Sequence, residues 1–531
     1  MTGAQVVMAQ LVAEGVEYVL VIPGLQNLAL CDTIADYPQL KYLIGRHEHS
    51  LAFIANGYAR ASNRIAVPLV ISGPGVTNAL TPMGDAYQDS VPMVLICTQP
   101  TEGELGKGPL HELKDQSKLL SSVAKWTCLV KRTEEVPEAI RMAFLKAYEG
   151  RPGPTVIEIP QNILTNQGYV DVYPCVRPKP VKADEIVVNK AVELLYQARR
   201  PLLYVGRGAA ISGCSNELRQ LAERLNIPCL TTVHGKGVLP ENHRLNVSWG
   251  GGRYGLVKRL TLEADTVLVI GSSLDHSDAE RFDLKFPEKL IQIDVCAENI
   301  GRKYSVRLGL IGDAATVLKQ LLTQLKQKPH SPSWISAFSD HKKQKIEEIR
   351  SSTAWQYMDA IQSAISDDTL IFSDPARCNG WGLSFIERNC ANTYHCSRNF
   401  CTLGYSISAA MGAKMAFPNR QVLAMIGDGG FLYAVGDLAT AVQYKLNIAI
   451  IIFNDNCYGS VRREQMACFG RTFGVELHNP DFCALANAFG ITAVRVEKPQ
   501  KLYMELTKAW ASDSPTIIEV FMGLADKGFD I

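Results

Sequence analysis

Residues 427–459 read GDGGFLYAVGDLATAVQYKLNIAIIIFNDNCYG, with 24 residues between Gly429 and the pair Asn454-Asp455. Asp428 and Asp455 are hard oxygen donors, and burying two like charges together is costly unless a cation joins them. Gly427, Gly429 and Gly430 permit a tight turn whose amides face a phosphate. QVLAMI before the turn and NIAIIIF before Asn454 are strand-sized apolar runs, and AVGDLATAVQYK between them is helix-length. One β-α-β unit then delivers both aspartates to the carboxyl edge of a parallel sheet, where open α/β folds bind ligands. An octahedral Mg²⁺ would take both carboxylates, a backbone carbonyl at Cys457, water and phosphate oxygens. This ion favours such a shared arrangement over an all-protein cage.

The remainder of the chain must position these groups. Its 531 residues, 47% hydrophobic with a net charge of +1, suit a soluble protein of two to four domains. Near-neutral charge gives no reason to expect nucleic acid as a partner. No apolar run reaches a membrane span, and no basic segment leads into an apolar leader, so no membrane association and a cytoplasmic location are expected. Of the 14 cysteines, Cys378, Cys390, Cys396 and Cys401 lie near one another with His395 among them. Their spacings match no zinc pattern and read as buried free thiols in a reducing compartment.

Strand-like β-branched runs alternate with amphipathic helical segments almost throughout, which predicts three parallel-sheet α/β domains. The first spans 1–163, and an extended linker rich in Pro, Val and charge follows at 164–189. A central Rossmann-like domain spans 190–329, a helical connector 330–354, and the last domain 355–531. The central block carries Gly206-Arg207-Gly208 and VIGSS at 269–273 after strands, and Asp294 stands where a ribose-binding acid would. The full G-x-G-x-x-G is missing, so no nucleotide is expected there.

The 427–459 segment resembles the signature of thiamine-diphosphate-dependent enzymes: GDG, an interval of similar length, then a pair usually written Asn-Asn. Aligned on Tyr458-Gly459, Asp455 falls on the second, metal-binding asparagine and Cys457 on the carbonyl donor, with Tyr458 against the cofactor. Aspartate at 455 departs from that pattern, keeping an oxygen ligand but adding a negative charge beside the diphosphate. RHEHSLAFIANGYAR at 46–60 resembles the family's RHE…A…GYAR element, which puts Glu48 in the place of the glutamate on the cofactor's aminopyrimidine. SGPGVTN at 72–78 and DSVP at 89–92 match the loop lining the pyrimidine side, with Gly73, Pro74 and Asn78 in step. TTVHGKGVLPENH at 231–243 matches the central GKG…PE.H segment. FCTLGYSISAAMGA at 400–413 places Thr402 and Leu403 under the cofactor, Leu403 as the apolar wedge that bends it. These blocks cover nearly the whole chain in order.

The resemblance implies a thiamine diphosphate- and Mg²⁺-dependent lyase with pyrimidine-binding, central and diphosphate-binding domains. It would decarboxylate a small-molecule 2-oxo acid through an enamine, then release an aldehyde or ligate the fragment to a second carbonyl. Active sites would be shared between subunits of a homodimer or homotetramer. His111 falls close to the reacting carbon, where acetolactate-synthase-like relatives carry a glutamine, and an imidazole there could shuttle a proton or simply orient its loop. Gln26 lies on a loop that faces substrate in relatives. The adjacent His-His pair of pyruvate decarboxylases is absent. Pro74 stands where benzoylformate decarboxylases carry a histidine. WGGGRYG at 249–255 departs from a flavin-binding segment, so no flavin is expected. Arg377 and Arg398 stand out as cations that could hold a polar substrate tail or form salt bridges. Two alternatives remain beside the decarboxylase: a flavin-independent acetolactate-synthase-like transferase, and a catalytically weak, cofactor-binding homologue with a regulatory role.

Overall fold

A computed structural model describes residues 1–248, 256–326 and 346–522. The segment 249–255 and most of the expected connector 330–354 lie outside the described residues. Among the described residues, seventeen strands form three sheets in which every pairing between strands is parallel.

The first sheet holds β1 (Tyr18–Val21), β2 (Lys41–Ile44), β3 (Val67–Val70), β4 (Met93–Gln99), β5 (Trp126–Leu129) and β6 (Pro154–Pro160), in the order β2-β1-β3-β4-β6-β5. The second holds β7 (Pro201–Val205), β8 (Cys229–Thr231), β9 (Thr266–Ile270), β10 (Lys289–Asp294) and β11 (Leu308–Ile311), ordered β11-β10-β9-β7-β8. The third holds β12 (Leu370–Ser373), β13 (Tyr394–Cys396), β14 (Val422–Gly427), β15 (Ala449–Asn454), β16 (Thr492–Val496) and β17 (Thr516–Phe521), ordered β13-β12-β14-β15-β17-β16. Helices cover both faces, so central strands such as β15 are buried at every residue and read as continuous apolar runs.

Each sheet reverses its order beside its first central strand, and such a reversal opens a crevice at the strands' carboxyl ends. In the first sheet that point lies between β1 and β3, where the loops carrying Gln26 and Gly73 leave. In the third it lies between β12 and β14, where Asp374 and Gly427-Asp428 leave. The register pairs Gly427 with Phe453, which brings Asp428 and Asp455 out at one edge.

The first and third sheets share one apolar core through the helices Glu48–Ser62 and Tyr405–Ala416. Bare glycines let these helices touch. A Cβ on Gly57 would lie 2.0 Å from the Ala409 carbonyl oxygen, and one on Gly412 would lie 1.9 Å from that of Ile54. A buried ionic group locks the same junction. Arg60 Nη2 donates to Asp85 Oδ2 and Asp89 Oδ2, both at 2.9 Å, and Ser397 Oγ donates to Asp85.

The span between Asp428 and Asp455 differs from the single helix expected at 434–445. An α-helix runs Asp428–Ala434, a 3₁₀ turn Val435–Asp437 and a second α-helix Leu438–Gln443. Asp437 makes the break by accepting from Thr440 Oγ1 and from the Arg46 amide, which competes with regular helix bonding. No helix or strand occurs from 166 to 184 within the expected linker. The cysteines are all free, but only Cys378 and Cys396 of the group near His395 are buried. Cys390 and Cys401 are exposed, because both sit in loops rather than in sheet or helix.

Candidate active site

Asp428 opens a helix directly after β14, and Asp455 follows β15. Both are buried, at 2% and 6% exposure. Burial first, then the facing charge of Asp455, pushes the Asp428 carboxyl up to about 7. Burial also raises Asp455, against the pull of Arg377, whose Nη1 lies 3.5 Å from Asp455 Oδ2. Asn479 Nδ2 donates to Asp428 Oδ2 at 2.6 Å and also lies within hydrogen-bonding distance of Asn454 Oδ1 and Asn456 Oδ1. The amide nitrogen of Asn454 turns the other way and donates to the buried Glu519 at 2.8 Å. The adjacent pair is therefore split, with Asn454 fixing the sheet and Asp455 facing Asp428. The Cys457 carbonyl accepts from the Gly459 amide at 2.9 Å, which uses one of its two lone pairs.

The glycines here are sterically required. A Cβ on Gly429 would lie 2.6 Å from the Tyr458 ring, and one on Gly430 would lie 2.5 Å from Asp374 Oδ2. Asp374 is fully buried at the end of β12. Its Oδ2 accepts from the Gly404 amide and its Oδ1 from the Ser406 amide, each at 2.7 Å. It thereby fixes the backbone immediately after Thr402 and Leu403, both half-buried. Gly404 has φ +79°, a conformation that favours glycine. The Thr402 Oγ1 is buried without a hydrogen-bond partner among the described residues.

A second group gathers at the carboxyl edge of the first sheet. Glu48 is the first residue of its helix, after the N-cap His47, and Arg60 occupies the last turn, so both charges suit the helix dipole. Asn78 Nδ2 donates to Glu48 Oε2 at 2.9 Å from the first turns of helix Pro74–Gln88. Pro74 starts that helix, where a missing amide costs nothing. Gly73 precedes it with φ +63°, and a Cβ there would lie 2.7 Å from the His111 carbonyl oxygen. His111 Nδ1 lies 3.0 Å from Gln26 Oε1, while Gln26 Nε2 donates to the Leu110 carbonyl at 3.3 Å. With its amide nitrogen so engaged, Gln26 presents an acceptor to Nδ1 and leaves the lone pair of a neutral imidazole on Nε2. His111 itself is held at φ +64°, an uncommon conformation for a side chain of this size.

Within one chain these groups form two clusters. Ser397 binds Asp85 and the Arg398 amide donates to Asp89, while Thr402 folds back onto Ser397. The Leu403 loop therefore docks at the C-terminal end of helix Pro74–Gln88, and Glu48 sits near its start. Seven residues separate Asn78 from Asp85, roughly 10 Å along the axis.

The central sheet behaves differently. The Gly208 amide donates to the Gly271 carbonyl at 2.8 Å, so the two glycine loops bind each other. Asp294 Oδ1 accepts from the Cys296 amide and from Asn299. A cavity of about 480 Å³ opens over these loops, bordered by Asp89, Arg207, Asp294 and Arg398 and lined by neither Asp428 nor Asp455.

Asn479 and Asp374 are the polar residues that sequence reasoning missed. Asn479 arrives from a loop beyond helix Gly459–Phe469, and nothing in its spacing marks it. Asp374 ends TLIFSD as an ordinary strand terminus, and only its adjacency to β14 gives it a role.

Comparison with known proteins gives the family of the whole chain. Three models match in order: thiamine pyrophosphate enzyme, N-terminal TPP binding domain over residues 1–119, central domain over 188–321, and C-terminal TPP binding domain over 374–520. A probable acetolactate synthase large subunit of Methanocaldococcus jannaschii is 31% identical, covering 99% of this chain and 93% of the relative. A probable 2-ketoarginine decarboxylase of Pseudomonas aeruginosa is also 31% identical, covering 98% and 94%. Acetolactate synthase isozyme 3 large subunit of Escherichia coli is 29% identical, covering 96% and 92%. The chain belongs to the thiamine pyrophosphate enzyme family.

Proposed function

We propose that this protein decarboxylates a small 2-oxo acid with thiamine diphosphate and Mg²⁺, and either releases an aldehyde or ligates the fragment to a second carbonyl. The observation that carries the reading is the pairing of two carboxylate devices at sheet switch points: Glu48 held by Asn78, and Asp428 facing Asp455. Relatives named for acetolactate synthesis and for 2-ketoarginine decarboxylation leave ligation and release as the two outcomes for this chain.

The residues present fit the cofactor. The buried hydroxyl of Thr402 lacks a partner among the described residues, and the glycines at 429 and 430 leave a bare backbone. No cluster of three or more His, Cys, Asp or Glu side chains suited to a metal occurs among the described residues. Asp428, Asp455 and the Cys457 carbonyl would hold a cation completed by diphosphate and water, which suits Mg²⁺. Gly427, Gly429, Gly430 and Tyr458 would line the diphosphate, with Gly73, Pro74 and Asn78 on the pyrimidine side. When bound, thiamine diphosphate supplies the nucleophilic carbon and the electron sink that this reaction needs.

The side chains supply proton control and positioning. Glu48 holds a proton at the aminopyrimidine, and Asn78 fixes which oxygen does so. Leu403 occupies the wedge position, backed by the Asp374 clamp on Gly404 and Ser406. His111, oriented by Gln26 with its lone pair on Nε2, takes up a proton there and passes it to the substrate oxygen.

The separation of Glu48 from the Leu403 loop within one chain supports a homodimer or homotetramer in which each site draws on two copies. Exposed apolar residues lie beside both clusters, among them Leu25, Leu28 and Leu110 on one side and Leu432, Tyr433 and Phe473 on the other. Faces of this kind are ordinarily covered by a partner. The cytoplasm is the proposed location, and no described helix is long and apolar enough to cross a membrane.

The test is turnover of purified protein with thiamine diphosphate and Mg²⁺ on pyruvate, benzoylformate and a cationic 2-oxo acid, with product analysis. CO₂ release lost in Glu48→Gln is the expected result. Absence of release from every 2-oxo acid, together with absence of cofactor binding, would sink the reading.

A further inference from the structure

Aspartate at position 455 needs an explanation, because a second buried carboxylate beside Asp428 adds a charge that the usual asparagine does not. The geometry points to Arg377 as the built-in counter-charge that lets Asp455 act as a metal ligand. We infer that Mg²⁺-dependent cofactor affinity depends on Arg377 only while residue 455 is acidic. The inference rests on the proposed function and deepens it by assigning a positioning residue to the same site.

Arg377 begins helix Arg377–Phe385, shortly after β12, and Asp455 follows β15, with β14 and Asp428 between these strands. The side chains of Arg377 and Asp455 are 8% and 9% exposed, and Nη1 stands 3.5 Å from Oδ2. A pair this deeply buried is strongly destabilised when one partner is removed. The guanidinium lies over the Trp381 ring, 5.2 Å from its centroid, so an aromatic face supports it from its own helix.

The backbone opposite packs closely against the pair. A Cβ on Gly459 would lie 2.3 Å from Asp455 Oδ2 and 2.9 Å from Arg377 Cδ. Asp428 takes a different partner, the neutral amide of Asn479. The two carboxylates are thus compensated unequally. Asp428 is met by a neutral amide, while Asp455 has its charge balanced by a guanidinium and still offers an oxygen. In charge terms the Arg377–Asp455 pair replaces a neutral asparagine.

The competing role for Arg377 is direct contact with the diphosphate, which would make its contribution independent of residue 455. A double-mutant cycle separates the two. Wild type, Arg377→Gln, Asp455→Asn and the double variant would be titrated with thiamine diphosphate in excess Mg²⁺, followed by calorimetry. Arg377→Gln should weaken binding by about tenfold or more in the Asp455 background. In the Asp455→Asn background the same change should cost less than about threefold. Arg377→Lys, which keeps the charge, should lie between wild type and Arg377→Gln.

The thermal midpoints of the same four proteins without cofactor give a second readout. Arg377→Gln should lower the midpoint when residue 455 is aspartate and leave it unchanged or raise it when it is asparagine, because Asp455→Asn removes the guanidinium's counter-charge. An equal effect of Arg377→Gln in both backgrounds, or failure of the double variant to fold, overturns the inference. If wild type binds no thiamine diphosphate at any Mg²⁺ concentration, the proposed function itself falls and this role for the pair falls with it.

Discussion

Asn78 donates a single hydrogen bond to Glu48, Nδ2 to Oε2 at 2.9 Å, from a helix that starts at the neighbouring switch-point loop. The bond fixes one carboxylate oxygen, and in the proposed function the other serves the cofactor. Glu48→Gln should lower turnover by about 10²–10⁴-fold, the range for a lost proton-transfer group. Asn78→Ala removes only the orientation, and a hydrogen bond to a charged group carries roughly 1.5–3 kcal/mol, so turnover should fall about ten- to a hundredfold. Steady-state kinetics with saturating cofactor would check both, and an Asn78→Ala effect as large as that of Glu48→Gln would refute the orienting role.

Gln26 and His111 come from different loops of the first sheet and meet at 3.0 Å. His111→Phe should cost about 10²-fold in kcat/KM if Nε2 carries a proton to substrate. Gln26→Ala should cost less, because the imidazole stays while its preferred tautomer is lost. Equal turnover for wild type and His111→Phe would reduce His111 to a loop anchor for Gly73.

The legible parts of this protein are those in which sequence distance and spatial distance are tied by one regular unit. Asp428 and Asp455 follow adjacent parallel strands joined by one crossover, so their convergence could be read from strand-sized runs alone. The three-sheet architecture was equally legible, since strands buried on both faces are uninterrupted apolar runs. Asn479 and Asp374 were not, because each acquires its role from a neighbour that only the folded sheet supplies. Arg377 was conspicuous as a cation, but its partner Asp455 lies 78 residues away, across two strand positions.

Asp374 yields a prediction about pH. Burial raises its carboxyl from 3.8 to about 6, against the amides of Ser406 and Gly404, which favour the charged form. The folded state therefore binds more protons than the unfolded state between pH 4 and 6, and this group's contribution to stability declines as pH rises through that window. Asparagine lacks the ionisation. The thermal midpoint of wild type minus that of Asp374→Asn should fall between about pH 4 and pH 6 and level off above. Calorimetric scans across that range would check it, and a difference that grows with pH would refute the raised carboxyl.

Gly57 ties fold to function. Its absent side chain lets helix Glu48–Ser62 sit directly on the Ala409 backbone, and a Cβ would approach the Ala409 carbonyl oxygen to 2.0 Å and its Cα to 2.4 Å. Backbone cannot rotate away as a side chain can, so Gly57→Ala must push the two helices apart. Overpacking against fixed backbone costs about 1–3 kcal/mol or more and outweighs the roughly 1 kcal/mol that alanine ordinarily gains over glycine in a helix. Gly436→Ala is the matched control, because nothing lies within 4 Å of its Cβ. The thermal midpoint should fall by several degrees for Gly57→Ala and barely move for Gly436→Ala. Because Glu48 is the first residue of the displaced helix, the surviving folded fraction of Gly57→Ala should also turn over more slowly at full cofactor occupancy. Normal turnover per folded molecule would mean that the helix yields locally at residue 57 and does not transmit the shift to its first turn.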